Sequence, residues 1–409
     1  MDILVASSLL VLLAIPVLFA IRRDPEHGAF LTKLFLWSLA LRAGVALVIY
    51  AFKLQEFFGG DANAYHRIGS ELWHSWRGDV VLSAYAESRL STAISGWGMY
   101  YWVAGLYAIT GENMLATQFV NVAIGSLATI FVYFLGERVY RHNTVSRRAA
   151  MLVAFFPSIV LWSAQGLKDP LILVAICMVL YATVQLRERF SAGAVVLAVA
   201  GLFVLYALRF YVFYIMAAAL AFSTVVSSVK TLSGFVRQTA GFAIVGVALL
   251  YVGVGEEASE HYAFVDLEKI QMSRKYMATA AASGFGADID VRAQGGIAEA
   301  LTLGSVYMML APFPWEMTNL RQAITIPEML VWWAMIPLLV SGLWYSFRYR
   351  MAESSAITVF VGVLLLAYAI YMSNVGTAYR QRAQLLPFFF LFVAVGYTLR
   401  EKRRAAHPH

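Results

Sequence analysis

Long apolar runs alternate with short polar joints along this chain, and the length of the runs decides its class. Ile3 to Ile21, Leu34 to Phe52, Met114 to Leu135 and Thr239 to Val254 are among the stretches that reach the ~20 residues needed to cross a hydrocarbon core of ~30 Å. Counted over the whole chain, they predict an all-α, polytopic transmembrane helix bundle of about eleven spans, because helices satisfy their own backbone groups inside lipid. Two longer polar segments, 53–111 and 255–328, are expected as outer-face loops with interfacial helices, set in a single transmembrane domain over 1–409. Gly96 to Thr110 is expected to lie at the interface, since Trp97, Tyr100, Tyr101, Trp102 and Tyr107 are rings suited to headgroup depth. The second loop opens at Glu256–Tyr262 and continues as an amphipathic helix with Lys269, Arg274 and Lys275, a possible lid. It closes where Ala311-Pro312-Phe313-Pro314-Trp315-Glu316 stops an apolar helix.

Composition agrees with the pattern. At 61% hydrophobic and 13% charged residues, the chain belongs with membrane proteins. Its net charge of +7 does not point to nucleic acid, because the basic residues cluster where they set orientation. With Arg22, Arg23 and Lys33 inside, the joints holding Arg138, Arg141, Arg147 and Arg148, then Arg187 and Arg189, then Lys230 and Arg237, then Arg348 and Arg350, also face inward. The N-terminus is then outside and the C-terminus inside. Arg22 and Arg23 follow the first run instead of preceding it, so it is expected to be a retained anchor and not a signal peptide. The single cysteine, Cys177, leaves no disulfide or CxxC site and is read as packing.

The orientation leaves an unusual set on the outer side: Asp61, His66, Lys168, Asp169, Arg209, Arg380 and Arg382. Outward Lys and Arg around a carboxylate loop suit an anionic ligand such as a lipid phosphate. Asp61 follows Gly59-Gly60 and is read as a candidate general base, in preference to an aspartate that only starts a helix. Tyr65 and His66 are its neighbours. His66 and His74 share a helix face and with Asp61 make only a partial ligand set, so no metal is expected. Lys168-Asp169-Pro170 reads both as a cap with first-turn proline and as a ligand contact. Arg209, Arg380 and Arg382 could clamp a phosphate or snorkel to headgroups. Glu316 is a second carboxylate candidate. Arg42 falls inside a span and must face the bundle interior, either as structural glue or opposite an acid such as Glu56 or Asp61. P-loop, GxGxxG, HExxH and GxSxG patterns are absent, which removes support for nucleotide cradling, zinc proteolysis and serine hydrolysis.

Taken in order, LALRAGVAL, GGDANAYHRIG, FPSIVLWSAQGLKDPLIL and TAYRQRAQLLPFFF resemble the GT-C class of integral-membrane glycosyltransferases, especially the protein mannosyltransferase and aminoarabinose-transferase branch. The resemblance spans nearly the whole chain. It implies that Asp61 is the catalytic base with Tyr65 at the aromatic position after it. It also implies that Lys168, Arg380 and Arg382, with Arg209, grip the phosphate of a polyprenyl-phosphate-linked sugar donor, and that Asp169 matches an acidic position near the same cavity. Asn63 stands where the class usually has a second acid, and relative to the class the chain has an extra leading helix and no soluble tail domain. APFPWE and GTAYRQR also look like proteins of bacterial exopolysaccharide or O-antigen assembly, polymerases included. The implied activity is inverting transfer of a hexosyl group to a lipid-linked or cell-surface glycan acceptor. It would act without a cofactor, on the periplasmic face of a bacterial inner membrane, with membrane lipids as partners. An oligosaccharide polymerase or ligase and a lipid or glycan transporter are the alternatives.

Overall fold

The computed structural model describes residues 1–91, 96–226, 266–280, 282–317 and 319–406. The expected span Thr239–Val254, the Glu256–Tyr262 opening of the second loop, and Lys230 and Arg237 lie outside the described residues. The regular elements that are described are helical. They are α1 (Asp2–Arg22), α2 (Gly28–Ala51), α3 (Gln55–Phe58), α4 (Asp61–Trp76), α5 (Val80–Ser91), α6 (Trp97–Thr110), α7 (Met114–Tyr140), α8 (Asn143–Phe155), α9 (Pro157–Ser163), α10 (Asp169–Glu188) and α11 (Ala192–Val226). Then come α12 (Leu267–Ala280), α13 (Gly296–Leu310), a 3₁₀ turn at Pro314–Glu316, α14 (Leu320–Tyr349), α15 (Met351–Tyr371), α16 (Val375–Arg382) and α17 (Leu386–Ala406).

Among the described residues, seven helices are long and apolar enough to cross a membrane, or up to nine if each of the bent pairs α8/α9 and α16/α17 is one span. The expected count of about eleven includes Thr239–Val254, which lies outside the described residues. α11 consists of two helical halves, 192–208 and 210–226, that meet at a kink at Arg209, where φ is −161° and ψ is 78°. The 53–111 segment holds α3 to α6, of which the 14-residue α6 is ~21 Å long and too short to cross alone.

The chain forms two compact units: Met1–Phe134 with Ala150–Val179 and Ala200–Phe210, and Leu135–Ala149 with Leu180–Val199 and Tyr211–His409. In the first unit, α1 and α2 pack on the start of α7 through Ala6, Leu10, Ala46, Ile49, Leu115 and Phe119. The outer faces of α1 and α2 leave Leu4, Val11, Leu12, Ile15, Phe19, Leu41 and Val48 exposed, as a lipid-facing surface requires. In the same unit α4 meets α6 at Gly69, where a Cβ would lie 2.5 Å from Val103 Cγ1. Only glycine allows that approach.

Arg42 resolves as glue, and the reason is a proline. A helix carbonyl normally accepts from the amide four residues on, but Pro157 has no N–H to offer Val153. The chain bends by 56° between α8 and α9, and Arg42 enters the break from α2. Its Nη2 donates to Val153 O and its Nη1 to Ala154 O, each at 2.9 Å, with Ser163 Oγ taking Nε at 2.9 Å and Ser38 Oγ also bonded. The guanidinium thus supplies the donors that the broken helix lacks, with its charge buried.

The second unit repeats this device twice. Arg382 is buried and donates from Nη1 to Ala311 O at 2.8 Å, Met309 O at 3.2 Å and Met308 O at 3.4 Å, where Pro312 and Pro314 cannot donate. Trp332 Nε1 and Trp333 Nε1 satisfy Met309 O and Leu310 O at 2.6 and 3.0 Å. Arg274 of α12, also buried, donates to Ile370 O at 2.8 Å and to Ala369 O and Met372 O at 3.4 Å, closing the end of α15. In the same unit α14 and α17 interlock through Gly342, set against the Phe392 backbone, and Gly396, set against the Leu338 backbone.

Candidate active site

The first unit holds six of the expected residues: Asp61, Tyr65, His66, Lys168, Asp169 and Arg209. Gly59 (φ 119°) and Gly60 (φ 44°) are left-handed, a conformation glycine adopts without strain, and they turn the chain from α3 into α4. Asp61 is the first residue of α4, exposed, with its helix capped by Gly60 and not by a side chain. Behind it, Asn63 Nδ2 donates to Glu56 Oε1 at 2.5 Å, and Tyr65 stacks obliquely on Tyr100 at 5.9 Å.

The first turn of α4 rests on the α9–α10 joint, since the Cβ position of Gly166 lies 4.0 Å from Ala62 Cβ. That joint is fixed from α7: the Asn121 amide donates to Gln165 O at 2.8 Å and Leu167 O at 2.7 Å. Lys168 leaves the joint toward the start of α6, where a Cβ on Gly96 would meet its Nζ at 2.9 Å. A glycine at 96 makes room for the ammonium. Asp169 begins α10 and sits 3.9 Å from Arg209 Nη2, with the two side chains 5% and 7% exposed. Gly96 also lies close to Leu208 O, at 3.6 Å from its Cβ position, so the break in α11 falls beside Lys168. At a broken helix, backbone groups lose their intrahelical partners, and polar side chains or ligands take their place.

His66 and His74 are joined by a residue the sequence reading did not single out. Glu112, in the Gly111–Asn113 island between α6 and α7, lies 3.6 Å from His66 Nε2 by one oxygen and 3.6 Å from His74 Nε2 by the other. His66 Nδ1 is 2.7 Å from Tyr107 Oη. A polar trio between two apolar helices was the only signal available. Among the described residues, no three His, Cys, Asp or Glu side chains converge to hold a metal ion.

The second unit holds the other three. Asn374 caps α16 through Gly376 N at 2.8 Å and Thr377 N at 3.2 Å, and the segment before it pairs with residues 283–285: Phe285 N donates to Ser373 O and Val375 N to Ser283 O, each at 2.9 Å. Arg380 is half-buried on α16. Arg382, expected beside it as a phosphate contact, faces the other way and commits its donors to the end of α13, with Nη2 at 2.9 Å from Met329 Sδ. Glu316 is exposed in the 3₁₀ turn and accepts from Tyr307 Oη at 2.9 Å.

No family model matches the chain, and no curated protein matches it. Among solved structures, the apo oligosaccharyltransferase of Archaeoglobus fulgidus is similar over 92% of this chain and 52% of its own, with a TM-score of 0.50 and 13% identity. The archaeal oligosaccharyltransferase AglB from the same organism, in complex with an inhibitory peptide and a dolichol-phosphate, gives the same coverage and identity with a TM-score of 0.48. The chain therefore spans about half the length of these proteins, and what it shares with the first is the fold.

Proposed function

We propose that this protein is an inverting membrane glycosyltransferase that moves a sugar from a polyprenyl-phosphate or polyprenyl-diphosphate carrier to a lipid-linked or cell-surface glycan acceptor. The observation that carries the reading is the meeting, inside one unit, of the Asp61 turn, the Lys168 joint and the buried Asp169–Arg209 pair at the break of α11. A surface carboxylate beside fixed cations is what displacement of a phosphate by a hydroxyl needs.

Asp61 takes the proton of the acceptor hydroxyl as its oxygen bonds to the anomeric carbon. The bond from that carbon to the carrier phosphate breaks, and both electrons leave on the phosphate oxygen. Attack opposite to departure inverts the sugar carbon. Lys168 and Arg209 meet the developing charge, and Asp169 holds the Arg209 guanidinium in place. In the second unit, Arg380 is assigned to substrate binding, and Arg382 holds the end of α13, because its donors are already committed there. Tyr65, His66 and Glu316 are assigned to substrate contact. The site belongs to the outer face of a bacterial inner membrane.

The test is reconstitution in vesicles with defined polyprenyl-phosphate and polyprenyl-diphosphate sugars, followed by mass spectrometry of the lipid products. Asp61→Asn is expected to lower kcat by roughly 10²–10⁴-fold with carrier binding retained. Arg380→Ala is expected to cost roughly 10²-fold in kcat. An Asp61→Asn variant that keeps its rate while Arg380→Ala abolishes it would favour a polymerase driven by arginine. Substrate translocation without any new glycosidic bond would make the protein a transporter.

A further inference from the structure

In the second unit, the turn between α13 and α14 holds a stack of rings that has no part in the proposed proton transfer. Pro312 and Pro314 fix the backbone around Phe313, and Arg382 ties the segment down through Ala311 O at 2.8 Å. Trp333 of α14 stacks on Phe313 at 6.4 Å and 30°, and its own Nε1 is bonded to Leu310 O. Trp315 also stacks on Phe313, at 5.2 Å and 17°, yet it stays 75% exposed. Tyr307 meets Phe313 edge-on at 5.4 Å and is backed by Phe285 at 4.0 Å. Its hydroxyl donates to Glu316 Oε2 at 2.9 Å, which fixes a carboxylate next in sequence to the exposed indole and leaves the second oxygen to accept from elsewhere.

The shape of the stack decides what it recognises. An indole with a fixed ring behind it presents one flat, rigid face and loses little freedom when a ligand covers it. A quaternary amine is held by rings on several sides. Here the rings lie one behind another, so a flat partner is matched instead. A tryptophan that anchors to a bilayer works as a single amphipathic ring at headgroup level. It needs neither a stack behind it nor a carboxylate positioned beside it. A pyranose has counterparts for both features: an apolar C–H face for the indole, and hydroxyls that donate to a carboxylate in a charge-assisted bond. We infer that Trp315 and Glu316 form a sugar subsite, in which a pyranose ring of the glycan substrate stacks on the indole while one of its hydroxyls donates to Glu316. Binding of the sugar follows from the ring and the carboxylate, and its role as substrate rests on the transferase reading.

The experiment titrates the full chain in lipid nanodiscs with methyl β-glucoside and methyl β-galactoside and follows binding by saturation-transfer NMR. Transfer is expected to be strongest to the protons of one ring face. Binding is expected to weaken roughly tenfold in Trp315→Ala, the scale of one lost aromatic stack, and about threefold in Glu316→Gln, which keeps an acceptor but not the charge. Trp315→Phe, which keeps a ring, is expected to lie between wild type and Trp315→Ala. Absence of face-selective transfer from both sugars, or the same transfer in Trp315→Ala as in wild type, would overturn the inference. Displacement of the sugars by tetramethylammonium would mark a cation site and overturn it too. So would quenching of the Trp315 emission, taken as the difference between wild type and Trp315→Phe, by lipids brominated on their acyl chains, because the residue would then be a bilayer anchor. Turnover with glucosyl farnesyl phosphate separates the two sources of the sugar. Trp315→Ala raises KM for that carrier if the subsite holds the donor sugar, and for the methyl glycoside offered as acceptor if it holds the acceptor. The NMR result needs no turnover, so a protein that binds sugar as expected yet forms no glycosidic bond loses the transferase reading and keeps the subsite. One that transfers with both KM values unchanged in Trp315→Ala keeps the activity and loses the subsite.

Discussion

At the scale of the residue, three buried arginines serve carbonyls at helix ends, and prolines explain two of them. Arg42 answers Pro157, and Arg382 answers Pro312 and Pro314, because a proline leaves an upstream carbonyl without a donor where water cannot replace it. The clearest test is a double-mutant cycle. Arg42→Met alone leaves Val153 O and Ala154 O unpaired and is expected to lower stability by about 2–4 kcal/mol in detergent. In a Pro157→Ala background, the restored amide can serve Val153 O, and the same substitution is expected to cost about 1 kcal/mol less. Additive costs would mean that the arginine is not compensating for the proline. Arg42 and Arg382 look alike in sequence, each a cation among apolar residues. What separates a structural arginine from a ligand contact is the set of carbonyls opposite, which comes from segments far away in the chain. The turn before Asp61 was legible because two glycines adjoin there, whereas Glu112 was not, because its histidine partners come from a different helix.

At the scale of the element, hydropathy located the long helices well: α1, α2 and α7 fall close to the runs read from sequence. Their ends and breaks were less accessible. The stretch around Arg209 contains one charge between two apolar halves, and in the structure two helical halves meet there at a kink. Contacts between helices rest on glycine, where close approach replaces the hydrophobic drive that lipid does not provide. At Gly342 and Gly396 a side chain would run into the backbone of the facing helix. Gly342→Leu is therefore expected to separate α14 from α17 and to lower the thermal unfolding midpoint by several degrees, a cost of about 1–3 kcal/mol. Gly362, with open space around its Cβ position, should accept alanine without loss. Arg274 ties α12 to the end of α15, and Arg274→Met is expected to speed proteolysis within 266–280 while the spans stay intact.

At the scale of the molecule, ion pairs in the second unit bring together joints that were expected to share the inner face. Arg138 pairs with Glu188. Arg148 pairs with Glu401 at 2.7 Å and bonds Thr398 at 3.0 Å, and Arg350 lies 3.6 Å from Glu353. These pairs join the α7–α8 joint to the α10 end and to the C-terminal helix. The proposed orientation is testable by labelling, because the single Cys177 is buried and can be replaced by alanine. In that background, a cysteine at position 61 is expected to react with an impermeant maleimide from outside intact cells, and one at position 402 only after permeabilisation. The reverse pattern would move the site to the cytosol and remove a periplasmic acceptor.

Sequence alone determined the class of the protein, the places of its long helices and the glycine turn before Asp61, because transfer free energy and local turn chemistry act within a few neighbouring residues. Only the tertiary structure decided that Arg42, Arg274 and Arg382 close helix ends, that Asp169 pairs with Arg209, and that Glu112 stands between two histidines. Burial of a charge is settled by the partners that surround it, and those partners are supplied by distant segments whose approach no local pattern records.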